Sequence, residues 1–196
     1  MDVPSSLLPE SVTPRLRGRF GHPYLYVETC PSTQRLLGEE HSEGAVALTE
    51  EQTEGRGRLG RRWLSPPGVS LLFSILLEPP VETARLPELS LVAGQACAAA
   101  IAAVTGAKPE VKLPNDILIS GRKVAGILAE AREGRVVLGI GVNVNVPKED
   151  LPTEVDRPAT SLVVETGHEV DRAELLLELL ERLELAYDEW VRTRGS

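Results

Sequence analysis

The stretch EVKLPNDILISGRKVAGILAEAREGRVVLGIGVNV, residues 110–144, is the strongest indication of the fold because it holds four apolar segments separated by short breaks. The segments are rich in β-branched and other apolar residues, which predicts strands at 110–113, 117–120, 123–132 and 135–144. Ser120-Gly121 and Glu133-Gly134 are typical of tight turns. Strands joined by such short turns pair antiparallel. The stretch therefore predicts consecutive antiparallel strands.

Further strands and helices flank this stretch on both sides. Residues 24–29, 45–51 and 69–77 show strand-like alternation or a continuous apolar run. The Ala- and Leu-rich segment 86–104 predicts a long buried helix that ends at Gly106. Leu residues recur on one face between Arg172 and Val191, which predicts an amphipathic helix. A shorter helical stretch is expected at 32–40, opened by Ser32 and Thr33.

Length and composition limit the organisation of the chain. With 196 residues, 42% of them hydrophobic, we expect one principal domain at 24–196, preceded by an N-terminal arm at 1–23. Cys30 and Cys97 lie far apart without ligand spacing, so neither a disulfide framework nor a zinc site is indicated, and a reducing cytoplasm is expected. We expect neither a secretory signal nor an apolar run long enough to span a membrane.

Residues 55–62, GRGRLGRR, combine four arginines with three glycines. Glycine permits close backbone approach, and the guanidinium fork matches phosphate or carboxylate oxygens, so this loop is expected to bind an anion. A solvated basic turn or a nucleic-acid patch is the alternative interpretation. The net charge of −8 would repel a polyanion elsewhere on the surface, which favours a small phosphorylated ligand.

Three other segments place polar groups at the ends of apolar strands. Lys112 precedes a turn fixed by Pro114. If this segment is considered by itself, the alternative interpretation is an ordinary surface lysine beside a turn. Gly126 weakens a strand unless a ligand or another backbone approaches closely. Asn143 could hydrogen-bond a ligand, while an ordinary turn before Pro147 is the alternative.

Together and in this order, four motifs resemble those of the biotin–protein ligase family. They are Gly55-Arg56-Gly57-Arg58-x-Gly60-Arg61, Lys112-x-Pro114-Asn115-Asp116, Lys123-x-Ala125-Gly126-Ile127-Leu128 and Gly139-x-Gly141-x-Asn143. The resemblance extends from about residue 24 through the last helix. It implies an α+β fold, with a mixed, largely antiparallel sheet and helices packed on one face, as in class II aminoacyl-tRNA synthetases.

The resemblance also implies a two-step reaction. Biotin and Mg²⁺-ATP would give biotinyl-5′-adenylate and pyrophosphate, and a lysine of a biotin carboxyl carrier protein, of acetyl-CoA carboxylase or a related carboxylase, would then accept the biotinyl group. Lys112 and Arg56 are expected to be catalytic because cations placed where two anions meet stabilise the transition state. ATP and Mg²⁺ are the implied cofactors. The resemblance does not identify the Mg²⁺ ligands, although the carboxylate of Asp116 is one candidate.

The remaining site residues also follow from the resemblance. The implied biotin-binding residues are Ser32, Thr33, Gln34, Gln52, Gly55, Arg56, Gly57, Arg58, Lys112, Gly126 and Leu128. The implied ATP-binding residues are Arg56, Arg58, Arg61, Trp63, Lys112, Asn115 and Asn143. For Ser32 and Thr33 the alternative is helix capping, and for Trp63 it is packing in the core.

The chain departs from the family pattern in three places. Gln34 stands where asparagine is frequent, and Leu113 stands where tryptophan is frequent. The small β-barrel domain that usually follows the catalytic domain is not found before Ser196. No helix-turn-helix module precedes residue 24, so we expect a ligase that does not bind DNA. We also expect no membrane partner.

Two other functions stay open from the sequence. A lipoate or octanoate ligase or transferase of the same superfamily shares the architecture but requires a pocket for a linear chain. A non-catalytic anion- or RNA-binding module could use the same basic loop. Homodimerisation through a sheet edge would be typical of the family.

Overall fold

Seven strands form one mixed sheet in the computed structural model, which describes residues 6–132, 134–153 and 157–194. They are β1 Tyr24–Cys30, β2 Val46–Gln52, β3 Leu71–Leu77, β4 Glu110–Lys112, β5 Asp116–Ile119, β6 Arg122–Arg132 and β7 Arg135–Val142. The order is β1-β2-β3-β7-β6-β5-β4. Only β1 and β2 pair in parallel among these described strands. The predicted mixed, largely antiparallel sheet is confirmed.

The four consecutive strands β4 to β7 follow the sequence prediction closely. β4 to β7 pair consecutively and antiparallel, as the two short turns require. Ser120 and Gly121 form the first turn and both have positive φ, at 51° and 75°. The second predicted turn includes Glu133, which lies outside the described residues.

Helices cover one face of this sheet. They are α1 Pro9–Val12, α2 Leu89–Thr105, α3 Leu162–Thr166 and α4 Arg172–Arg194. α2 packs against α4 and against β4, β5 and β6. It ends at Gly106, whose φ of 70° allows its N–H to reach the carbonyl of Ala102. Both long helices were predicted, and both are confirmed.

The helix predicted at 32–40 is wrong. The structure has a single 3₁₀ turn at Thr33–Arg35, and the Ser32 side chain makes no capping hydrogen bond. The reason is that the polar groups here bond to neighbouring strands: Thr33 N–H donates to Gln52 Oε1 on β2, 2.9 Å away. These side chains lie against the face of the sheet that is opposite the helices.

The N-terminal segment packs into the main core where the structure describes it. Leu7, Val12 and Phe20 are fully or almost fully buried among residues of α2, α4 and the sheet. The guanidinium of Arg19 lies 5.0 Å from the Phe20 ring centroid and pairs with Asp188 on α4. Residues 1–5 of the expected arm lie outside the described residues.

The expectation that no apolar stretch is long enough to cross a membrane is wrong for the segment Thr83–Thr105. By length and composition alone it meets that test, with a mean hydropathy of 1.5. The segment contains α2, whose Cys97, Ala100 and Ile101 are fully buried between the sheet and α4. Its apolar character is explained by this packing.

On the opposite face of the sheet, one row of register partners has glycine at its centre. Leu72, Gly141, Gly126, Asp116 and Lys112 are successive register partners across β3, β7, β6, β5 and β4. Register partners in adjacent strands point to the same face. The two glycines at the centre of this row leave open space above the sheet, and that space holds the cavity described next.

Candidate functional site

A cavity of about 390 Å³ opens on the glycine-lined face, which is within the range typical of small-molecule sites. Its wall is strongly cationic although the whole chain carries a net charge of −8. The cationic lining residues are Arg56, Arg58, Arg61, Arg62, Lys123 and Arg157. Asp116 is the one anionic lining residue within the described part of the chain. An anionic ligand is therefore favoured.

The closed end of the cavity is formed by buried polar side chains around the 3₁₀ turn. Thr33 Oγ1 lies 2.8 Å from Ser74 Oγ, and Gln34 Nε2 donates to the Leu128 carbonyl at 2.8 Å. Gln34 is only 3% exposed, yet its Oε1 has no hydrogen-bond partner among the described residues. A buried acceptor left without a donor is costly. A ligand N–H at this end would satisfy it.

The glycines of β6 and β7 make room for protein side chains that shape the cavity. A Cβ at Gly141 would lie 2.7 Å from the Trp63 ring, and a Cβ at Gly126 would lie 3.0 Å from it. A Cβ at Gly139 would lie 2.8 Å from Gln34 Nε2. The indole of Trp63 thus lies against these two glycines and forms one wall of the cavity. Trp63 therefore has a role besides packing in the core.

The glycine-arginine loop folds into a short hairpin at the cavity mouth. Arg56 and Arg62 form an antiparallel bridge, and Gly57 N–H donates to the Arg61 carbonyl at 2.8 Å. Gly55 does not line the cavity, but a Cβ there would lie 2.5 Å from the Trp63 carbonyl. Glycine at 55 is therefore required for the hairpin to hold Trp63 in place.

Two contacts tie this hairpin to the sheet. Arg56 Nη1 lies 2.8 Å from Glu130 Oε1 on β6, in a pair that is 46% and 20% exposed. Arg58 Nη1 is 3.5 Å from Asn115 Oδ1, a long and weak hydrogen bond. Both contacts are easily exchanged for contacts to a ligand, because a partly exposed ion pair contributes little stability and a hydrogen bond of 3.5 Å is weak.

Lys123 and Asp116 form the polar centre of the cavity. Lys123 Nζ lies 2.7 Å from Asp116 Oδ1 and 5.7 Å from the Trp63 ring centroid. Arg157 approaches the other oxygen of Asp116, with Nε 3.9 Å from Oδ2. One carboxylate therefore holds two cations in the space where a ligand anion would bind.

Lys112, which was predicted to be catalytic, does not line the cavity. It is exposed on β4, the edge strand, one strand beyond Asp116 in the register. Leu113, at the position where the family often has tryptophan, is 63% exposed and is also outside the cavity wall. The ammonium group inside the cavity belongs to Lys123.

The two predicted asparagines line the cavity, but their amides also bond to backbone. Asn115 Nδ2 donates to the Ile127 carbonyl, and Asn143 Nδ2 donates to the Thr160 carbonyl, each at 3.0 Å. Asn143 is 5% exposed. Both residues therefore fix the walls as well as facing the cavity.

The structure brings together most of the predicted site residues. Those that line the cavity are Ser32, Thr33, Gln34, Gln52, Arg56, Gly57, Arg58, Arg61, Trp63, Asn115, Gly126, Leu128 and Asn143. Gly55 and Lys112 do not. Sequence reasoning missed Lys123, which stands in a quoted motif without a role, and Arg157, which lies in no motif at all.

Comparison with known proteins places this geometry in context. A family model described as the biotin/lipoate A/B protein ligase family matches residues 26–146. The bifunctional ligase/repressor BirA of Bacillus spizizenii is 37% identical over 180 residues, covering 87% of this chain and 55% of that protein. The biotin–[acetyl-CoA-carboxylase] ligase of Mycobacterium tuberculosis is 39% identical over 154 residues, covering 76% and 56%. The chain thus spans little more than half the length of these relatives.

Solved structures give the same picture. The biotin protein ligase from Aquifex aeolicus in complex with biotin and ATP superposes with a TM-score of 0.78 at 36% identity, covering 87% of this chain and 72% of that one. The biotin protein ligase from Leishmania major in complex with biotinyl-5-AMP gives a TM-score of 0.72 at 25% identity, covering 86% and 76%.

Proposed function

The chain belongs to the biotin/lipoate A/B protein ligase family, and from this we propose that it activates biotin with ATP and transfers the biotinyl group to a protein lysine. The observation that carries the proposal is one cavity with a buried, hydrogen-bonding end and a cationic mouth, with Lys123 between them. The first part suits a ring bearing N–H and C=O groups, and the second suits a nucleotide.

The closed end would bind the ureido ring of biotin. Gln34 Oε1 is a buried acceptor without a partner among the described residues, and Gln52 and Thr33 add an amide and a hydroxyl to the same cavity. The ring would lie beside Gln34 and against the Trp63 indole, so that the valeryl chain runs towards Lys123. Binding there satisfies a buried polar atom and removes apolar surface from water.

Lys123 would contact both the biotin carboxylate and the α-phosphate. In our proposal it takes the catalytic role that the sequence suggested for Lys112, since its ammonium lies inside the cavity. Bringing two anions together requires positive charge at the point where they meet, and a cation held there stabilises the charge that develops in the transition state. Release from Asp116 would free the ammonium for this contact.

The hairpin at 55–62 would close over the adenylate. Arg56 and Arg58 can exchange Glu130 and Asn115 for phosphate oxygens, because both present contacts are exposed. Closure would exclude water from a reactive mixed anhydride until the acceptor lysine arrives.

Mg²⁺ would be held mainly by the nucleotide. Mg²⁺ usually binds one or two carboxylates together with phosphates and waters. Asp116 fits as such a carboxylate, and the described residues contain no cluster of three candidate ligand side chains. The ion would neutralise phosphate charge when bound.

The remaining assignments are proposals that follow from the family. The acceptor would be a biotin carboxyl carrier protein of acetyl-CoA carboxylase or a related carboxylase, since a relative is named for that reaction. The enzyme would work in the cytoplasm. A homodimer could form through β1 or β4, which are the two edges of the sheet.

Biotin-dependent exchange of labelled pyrophosphate into ATP tests the proposal. We expect exchange with biotin and little with lipoate or octanoate, because the closed end offers polar groups that a linear alkyl chain would leave unpaired. Exchange driven by lipoate or octanoate instead would assign the other branch of the family, and exchange with none of the acids would contradict ligase activity.

A further inference from the structure

Arg157 lines the cavity but lies in none of the motifs that suggested the site. Its Nε is 3.9 Å from Asp116 Oδ2, whereas Lys123 Nζ is 2.7 Å from Oδ1 of the same carboxylate. The two cations differ in depth: the Lys123 side chain is 29% exposed and the Arg157 side chain is 44% exposed. Arg157 is therefore the outer member of a pair of cations.

The backbone next to Arg157 is fixed to the strand that carries Lys123. Lys123 N–H donates to the Pro158 carbonyl, and Thr160 N–H donates to the Lys123 carbonyl, both at 2.8 Å. Asn143 Nδ2 donates to the Thr160 carbonyl at 3.0 Å. These bonds hold the chain that follows Arg157 beside β6, so the placement of the two cations is set by backbone pairing.

The chemistry of the proposed reaction gives this outer cation a use. A biotin carboxylate oxygen forms a bond to the α-phosphorus, and the bond from that phosphorus to the α,β-bridging oxygen breaks. Pyrophosphate leaves with the electron pair of that bond, so negative charge grows on the bridging oxygen. In the proposed complex the ureido ring of biotin occupies the closed end beside Gln34. The departing pyrophosphate must then face the mouth of the cavity, on the side of the more exposed Arg157.

We propose that Arg157 binds the β- and γ-phosphates of ATP and stabilises pyrophosphate as it leaves, while Lys123 serves the α-phosphate. The planar guanidinium can donate two parallel hydrogen bonds to phosphate oxygens. Asp116 holds Arg157 loosely, at 3.9 Å, so little is lost when phosphate replaces it. The inference rests on the proposed function and assigns a nucleotide-binding role to a residue outside the family motifs.

The test compares Arg157→Gln with Arg122→Gln in pyrophosphate exchange. Arg122 is a matched control: its side chain is 42% exposed, it precedes Lys123 directly, and it pairs with Glu165 outside the cavity. We expect Arg157→Gln to raise KM for ATP and for pyrophosphate about tenfold or more, as expected for a lost hydrogen bond to a charged group. KM for biotin should stay within about twofold of the wild-type value.

A purely structural effect would give a different result. Glu165 also accepts a hydrogen bond from Thr160, so Arg122→Gln loosens the same segment without removing a cavity cation. Equal rises in KM for ATP in both variants would overturn the proposal, as would unchanged nucleotide constants in Arg157→Gln. Arg157→Lys should restore part of the affinity, because it keeps the charge and loses the fork.

Failure of the proposed function would be seen separately. If biotin supports no exchange in the wild-type protein, ATP affinity is measured by calorimetry without any acid. A tenfold weaker ATP affinity in Arg157→Gln than in Arg122→Gln would still support the nucleotide role, and equal affinities would refute it.

Discussion

Replacing Lys123 with Gln tests whether the reaction needs the ammonium group inside the cavity and not that of Lys112 at the sheet edge. The Lys123 side chain is 29% exposed and lies 2.7 Å from Asp116, inside the cavity. Removing a fixed donor at developing charge typically costs 10²–10³-fold in rate, and partial exposure places this site at the lower end. We expect kcat for biotin-dependent pyrophosphate exchange to fall about 100-fold, which corresponds to about 2.7 kcal/mol.

Lys112→Gln is the matched control, because both lysines lie on the same face of the sheet. Lys112 is exposed on the edge strand, so its loss should change kcat less than about fivefold. The ion pair of Lys123 is partly exposed and should contribute at most about 1 kcal/mol, so Tm should fall by less than about 4 °C. A loss in Lys112→Gln equal to or larger than that in Lys123→Gln would refute this assignment.

Three other substitutions or probes test the packing of the cavity wall and of the protein interior. Gly141→Ala places a Cβ 2.7 Å from the Trp63 ring, so calorimetry should show a loss of about 1–3 kcal/mol, together with a higher KM for biotin; unchanged stability and KM would contradict the packing. Glu50→Gln leaves the buried Arg172 without its counter-charge, and urea unfolding should show a loss of about 3–5 kcal/mol, whereas a loss below about 1 kcal/mol would contradict a buried pair. Burial raises the pKa of the Cys97 thiol to about 12, so at pH 8 a thiol reagent should label it only upon unfolding, and rapid labelling of the native protein would be inconsistent with its position.

Strands β4 to β7 could be predicted from sequence because their signals are local. Apolar segments separated by Ser120-Gly121 and a second Gly-containing turn predict antiparallel neighbours, and β4 to β7 pair in that way. The end of α2 at Gly106 is equally local, since only the residue at the C-cap must adopt positive φ.

The helix expected at 32–40 failed because long-range hydrogen bonds replaced local ones. Thr33 and Gln34 bond to Gln52 on β2 and to Leu128 on β6, neither of which is close in sequence. Helical propensity competes poorly with such contacts in a short segment that includes Gly38.

The choice between the two lysines depends on the sheet order, which the sequence does not specify. Lys112 lies on β4 at the edge, while Lys123 lies on β6, next to the central glycines. Arg157 reaches the cavity only because the chain after it pairs with Lys123, which lies 34 positions before Arg157. Motif reading finds residues that are close in sequence and misses those brought together by such pairing.

A crystal structure with biotin and a non-hydrolysable ATP analogue would decide whether the two substrates meet at Lys123. We predict that the biotin carboxylate and the α-phosphate both lie within hydrogen-bonding distance of Lys123 Nζ, with the ureido ring beside Gln34. Biotin and nucleotide bound in separate regions, or an inner ammonium that touches neither, would contradict the account.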